Sequence, residues 1–236
     1  MSSLFNDNAT EKFSADCSLI YSSFIYCIML NRISRGYSAL ELSFLLGEND
    51  NYIRDMERFK VMDFGIGLYG QLCKVFNHPS FLHQQHHRQP KLRHEMYAWK
   101  AEDTIFYRME CGKSEYESVI LFQLTEEDAE TREQRYPSSV ELDQEQSQRA
   151  LKAMLENDVF KKPISGLELH QLVEYTVEGR VHPLYVKTEL DKLVGRKGKA
   201  PLKRTKRRSQ GYRYVLHPGV NSADALAVIH HKFDKL

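Results

Sequence analysis

Long apolar runs are missing from this chain. None of its hydrophobic stretches approaches the roughly 20 residues that span a bilayer. Its N-terminus also lacks the basic start, uninterrupted apolar stretch and small-residue cleavage site of a secretory leader. Membrane insertion and secretion are therefore not expected. Cysteine is scarce: Cys17, Cys27, Cys73 and Cys111 lie far apart with no C-x-x-C pair. That spacing excludes a disulfide-dense scaffold and fits a reducing cytoplasm. An excess of one charge is absent as well, since 33 Lys and Arg balance 32 Asp and Glu for a formal net charge of +1. A uniformly basic or acidic surface is thereby excluded. No G-x-S-x-G, H-E-x-x-H or P-loop stands in a supporting context, and the carboxylates fall mainly in polar runs, so no enzyme is expected.

What is present is 42% hydrophobic and 11% aromatic residues in 236, enough to build the cores of one large or two small domains. The balanced charge also conceals a segregation. Acidic residues crowd Glu126 to Glu145, whereas Arg196 to Arg213 carries many Lys and Arg and no Asp or Glu. Two other patterns suggest sites but lack their context. F-G-I-G-L-Y-G, with Gly65, Gly67 and Gly70, has no preceding strand and no following G-K-[ST], and it reads as a loop and helix packing. His83 and His87 are four apart, with His86 and His94 nearby, but no adjacent acid or thiol completes a metal shell, and the tract reads as a solvated linker. No metal or cofactor is expected.

The densest local pattern runs from Arg35 to Arg58, R-G-Y-S-A-L-E-L-S-F-L-L-G-E-N-D-N-Y-I-R-D-M-E-R. Ser38 and Glu41 have capping-box spacing, which predicts a helix to about Leu46 with Leu42, Leu45 and Leu46 on its apolar side. Gly47 suits the left-handed conformation that ends a helix, and Asn49 suits the N-cap of the next. That second helix turns Ile53 and Met56 inward. Leu40, Phe44 and Leu45 supply apolar surface beyond what two short helices need, available to a partner chain or a second domain.

At Gly36, Ser38, Leu42, Leu46, Gly47, Ile53 and Glu57 the segment resembles the Cro and lambda-repressor type of helix-turn-helix, over roughly Ser18 to Asn77. The resemblance implies a five-helix domain that places Ser38, Asn49, Asp50, Asn51 and Arg54 at DNA. Three positions depart from the family pattern: Ala39 replaces the usual Gln, Glu48 occupies a commonly apolar turn position, and Asp50 and Asp55 make the reading helix acidic. The main DNA grip is accordingly expected elsewhere.

Between the two ends, Met96–Ala98, Thr104–Met109 and Ser118–Leu124 read as a small β-hairpin or meander, and 126–148 as an exposed helix or linker. The C-terminal half predicts helices over Ala150–Phe160, Gly166–Val177 and Leu184–Val194, the last beginning after Pro183 and ending before Gly195. A basic stretch and the alternating run Y-R-Y-V-L follow. Over Gln148 to Leu216 this order resembles a winged helix, which implies groove contacts from Tyr185, Lys187, Thr188 and Lys192. The same resemblance implies phosphate contacts from Lys203, Arg204, Lys206, Arg207, Arg208 and Arg213 on the wing.

The sequence thus predicts a mainly α chain with small β elements. Its expected parts are an arm (1–15), a helix-turn-helix domain (16–77), a mixed middle segment and linker (78–147), a winged-helix-like α+β domain (148–218) and a tail or helix (219–236). The expected function is a cytoplasmic transcriptional regulator bound to double-stranded DNA, with a homodimer suited to paired half-sites. The competing expectation is a protein-interaction or dimerisation module whose N-terminal motif no longer reads DNA. A ligand or metal sensor built on the middle segment is the third.

Overall fold

The computed structural model describes residues 10–62, 65–78, 91–112, 117–197, 199–207, 211–223 and 225–227. In chain order the elements are β1 (Glu11–Cys17), α1 (Leu19–Ile33), α2 (Ala39–Leu45), α3 (Tyr52–Glu57), α4 (Ile66–Val75), β2 (Leu92–Ala101), β3 (Thr104–Gly112) and β4 (Ser118–Glu127). They continue with α5 (Ala129–Arg135), α6 (Pro137–Glu156), a 3-10 turn at Val159–Lys161, β5 (Ile164–Ser165), α7 (Gly166–Val177), α8 (Pro183–Leu193), β6 (Leu202–Arg207) and β7 (Gly211–Leu216). Among the described residues no helix is long and apolar enough to cross a membrane.

The fold is α+β, which overturns the expectation of a mainly α chain with small β elements and an N-terminal five-helix domain. A four-stranded antiparallel sheet, ordered β1-β2-β3-β4, occupies the region expected to hold a short meander. Its strands outrun their apolar centres because the charged residues at their flanks find partners. Lys12 on β1 pairs with Glu95 on β2 at 3.0 Å, and Glu126 near the end of β4 pairs with Arg32 at 2.8 Å. Part of the expected N-terminal arm is itself a strand, with Phe13 opposite Met96 and Cys17 opposite Leu92.

The described residues divide into two compact units. The first takes residues up to 39 and 51–135; the second takes 40–50 and 136 onward. The segment expected to form one helix-turn-helix is therefore shared, with α2 counted in the second unit and α3 in the first.

In the first unit, Phe24, Ile25, Ile28 and Met29 of α1 are fully buried, together with Met96 and Met109 from the sheet. Ser18 caps α1 by accepting from the Tyr21 amide. An ionic centre closes the other end of α1. The Arg32 guanidinium, 1% exposed, donates to both carboxylate oxygens of Glu57 at 2.6 and 3.0 Å and pairs with Glu126 at 2.8 Å. It also donates to the Tyr37 carbonyl, while the Tyr107 hydroxyl donates to Glu126 at 2.9 Å. Burial opposes the charge on Arg32, but the two carboxylates outweigh it and hold the guanidinium well above its ordinary pKa.

In the second unit, Ala150, Leu151, Met154 and Leu155 of α6 form the core with Leu169 and Val173 of α7 and Val186, Leu190 and Leu193 of α8. A three-stranded sheet, ordered β5-β7-β6, completes it. The apolar surplus of α2 is used here. Gly166 lies so close to Phe44 that a Cβ there would meet the Phe44 carbonyl oxygen at 2.3 Å, and the Phe44 and Tyr214 rings are 6.3 Å apart.

Candidate nucleic-acid interface

The second unit gathers most of the residues nominated for DNA. Its α7 opens with a complete capping box: Ser165 accepts from the Glu168 amide, and the Glu168 carboxylate accepts from the Ser165 amide at 2.9 Å. Next, α8 starts with Pro183 in its first turn, and its orphan Leu184 amide donates to the buried Glu41 carboxylate at 3.1 Å. The His182 ring Nδ1 reaches the same Glu41 oxygen at 3.1 Å. Glu41, expected from sequence to be half of a capping box on α2, anchors the start of α8.

The β6–β7 hairpin pairs Leu202 with Leu216, Arg204 with Tyr214 and Lys206 with Tyr212. Directly opposed residues share a face, so the apolar base made by Leu202, Tyr214 and Leu216 grades along the hairpin into Arg204, Lys206 and Tyr212. The Arg204 guanidinium lies 4.0 Å from the Tyr212 ring centroid and Lys206 Nζ lies 5.0 Å from it. Burial pushes the Tyr214 hydroxyl pKa up, so this ring stays neutral beneath the cations. Lys203 and Arg213 belong to the opposite face, both half-buried, and Arg213 donates to the Pro163 carbonyl at 3.0 Å. Arg208 and the side chain of Arg207 lie outside the described residues. Arg196, Lys197 and Lys199, in the connection from α8 to β6, are exposed.

On α8 the structure corrects the expectation of four outward residues. Tyr185 is buried at 5% exposure and packs inward, and Lys187 is held by Asp191 at 2.5 Å and Asp50 at 3.3 Å. Thr188 is exposed; Lys192 is half-buried and pairs at 2.8 Å with Glu189, which itself accepts from Gln148. The period-3.6 pattern located the helix correctly but rotated its exposed stripe toward Leu184, Thr188, Asp191 and Lys192.

The N-terminal candidates are dispersed. Ser38 is half-buried before α2. Asn51, not Asn49, is the N-cap residue of α3, and its carboxamide oxygen accepts from Arg54 at 2.6 Å, so these two exposed candidates engage each other. Asn49 and Asp50 instead face the hairpin and α8 of the second unit. The Asn49 carboxamide oxygen accepts from the Tyr212 hydroxyl at 3.0 Å, and Glu48 pairs with Lys206 at 3.0 Å.

Sequence reasoning missed this docking of 47–50 on the hairpin. Its signal was two glycines and two acids. Gly47, at φ +68°, lets the Tyr212 amide donate to its carbonyl at 2.6 Å, and Gly211, at φ +69°, faces it so closely that a Cβ there would meet the Gly47 oxygen at 2.5 Å.

Among the described residues no group of three His, Cys, Asp or Glu is placed to hold a metal ion. His83, His86 and His87 lie outside the described residues, while His94 is buried in β2, its Nδ1 3.3 Å from Cys17 Sγ. Comparison with known proteins finds no match to a family model, a curated protein or a solved structure.

Proposed function

We propose that the second unit binds duplex DNA and that the protein is a transcriptional regulator. The observation that carries this reading is the run α6, β5, α7, α8, β6, β7 with sheet order β5-β7-β6, which is the order of a winged helix, ending in a hairpin that carries Lys203, Arg204 and Lys206. In such a module α7 and α8 form the helix pair, α8 meets the groove and the hairpin follows the backbone. Phosphate neutralisation by the hairpin and by Arg196, Lys197 and Lys199 supplies most of the affinity. The exposed face of α8 contributes Thr188 and Lys192, a small set for base reading. Fluorescence anisotropy with a labelled duplex tests the assignment. Changing Lys203, Arg204, Lys206, Arg207 and Arg208 together to Ala lowers affinity by at least about tenfold, at about 1.4 kcal/mol per decade. Unchanged binding by that variant defeats the assignment.

A second reading concerns the first unit, which we infer serves protein contact, including a homodimer. Its edge strand β4 leaves Val119, Ile120 and Leu121 exposed at 38–48% in a stretch without charge. Such an edge offers unpaired backbone groups to another chain. Ile120→Lys lowers the sedimentation-derived association constant if this edge pairs, and a monomer at all concentrations for the unaltered chain removes the homodimer.

A further inference from the structure

The turn that leaves α2 carries two carboxylates and no cation, and both carboxylates meet lysines of the candidate interface. Glu48 Oε2 lies 3.0 Å from Lys206 Nζ on the hairpin, and Asp50 Oδ2 lies 3.3 Å from Lys187 Nζ on α8. These contacts join residues about 140–160 positions apart, and they lie within the second unit. We propose that the carboxylates of this turn are an intramolecular stand-in for DNA phosphate, with Glu48 holding Lys206 in the free protein and restraining its use on DNA. The proposal rests on the reading of this surface as a DNA-binding one.

The turn does not need these charges to stay in place. It is fixed by the Tyr212 amide bonded to the Gly47 carbonyl at 2.6 Å, by the Tyr212 hydroxyl on Asn49 at 3.0 Å, and by the close approach of Gly47 and Gly211. Glu48 and Lys206 retain 20% and 44% side-chain exposure, a setting in which an ion pair adds little to stability, whereas Lys187 opposite Asp50 retains 11%. What the carboxylates do supply is negative charge at hydrogen-bond distance from two cations. A phosphate approaching Lys206 meets that charge and must displace it. Lys187 is buried and is also held by Asp191 at 2.5 Å, so it stays in place whether or not Asp50 is charged.

The consequence is a threshold on affinity. Weak, sequence-independent contacts leave the Glu48–Lys206 pair intact, whereas a site with additional contacts exchanges carboxylate for phosphate. Neutralising the turn removes the threshold. The variant E48Q/D50N, which keeps the size of both side chains, binds a random duplex about five- to tenfold more tightly near physiological salt. Its log K against log salt slope steepens by up to about 0.9, from one more cation, Lys206. The single variant E48Q, a smaller perturbation of the fold, gives the same steepening, whereas D50N leaves Lys187 paired with Asp191 and changes the slope little. E141Q/E145Q, which removes two exposed charges from α6, is the matched control and leaves the slope unchanged. Hydrogen exchange at the Tyr212 amide stays at the unaltered level in E48Q/D50N, since the backbone anchor remains. If E48Q/D50N and E48Q behave as the control does, while the unaltered chain binds duplex, the restraint proposal is overturned and the DNA reading stands. If no form binds duplex at low salt, the DNA reading itself falls.

Discussion

Replacing Gly47 with alanine probes how the hairpin is anchored. At φ +68° an L side chain costs about 1–2 kcal/mol in backbone energy. The new Cβ would also stand 2.9 Å from the Tyr212 nitrogen and 3.0 Å from its carbonyl oxygen, inside normal contact with backbone that has little room to shift. Opening that contact loses the 2.6 Å bond from the Tyr212 amide, worth about 0.5–1.5 kcal/mol net. The sum is roughly 1.5–3.5 kcal/mol, or about 5–10 °C in melting temperature for a chain of this size. Gly211→Ala is the harsher change, because its Cβ would sit 2.5 Å from the Gly47 oxygen and 2.8 Å from the Leu46 oxygen. The double variant should lose less than the sum of the singles, since both break one contact. Thermal denaturation by circular dichroism reads the stability, and hydrogen exchange at the Tyr212 amide reads the contact itself. A Gly47→Ala protein with an unshifted melting temperature and full Tyr212 protection would refute the anchoring argument.

Three further outcomes follow from the same structure. Gly70→Ala in α4, where a Cβ meets nothing within 4 Å, stabilises by about 0.5–1 kcal/mol in denaturant titration, opposite in sign to Gly47→Ala. Arg32→Met strands the buried Glu57 carboxylate beside the half-buried Glu126 and costs about 3–5 kcal/mol, with part of the loss recovered on acidification as Glu57 takes up a proton; a cost under about 1 kcal/mol contradicts the buried ionic centre. Burial lowers the His94 pKa below its ordinary 6.5, against a weaker opposing effect of its bond to the Leu92 carbonyl. The unfolded chain therefore binds the proton first, and the first unit loses stability as pH falls below about 6.5 toward the folded-state value. Denaturation followed through Trp99, the chain's single tryptophan, which stacks on Phe106 in that unit, should show this slope, and His94→Gln should flatten it.

The parts legible in the sequence were those encoded locally. Pro183 before α8, the apolar spacing of α7 and α8, and the alternation of Tyr212 to Leu216 lie within a few residues of the structure each specifies. Gly47 announced its positive φ in the same way. The four-stranded sheet was not legible in that manner, because β1 is stabilised by pairing with β2 some 75–87 residues later and its own E-K-F-S-A-D-C is mostly polar. The orientation of α8 was misread because Lys187 and Tyr185 are outward types in isolation. Asp50 and Asp191 hold Lys187 at its buried position, and the His182 ring lies 6.5 Å from that of the buried Tyr185. The docking of 47–50 was hidden for a related reason: it depends on backbone approach between two glycines 164 positions apart, which no periodicity reports.

The central claim is that this surface neutralises DNA phosphates through the hairpin and the connection before it. The salt dependence of duplex binding by the full chain measures that directly. The account predicts that log K falls linearly with log salt at a slope near about −0.9 per phosphate contacted, and that the slope flattens by several units when Lys203, Arg204, Lys206, Arg207 and Arg208 are changed together to Ala. A slope near zero, or one identical in the two proteins, contradicts it.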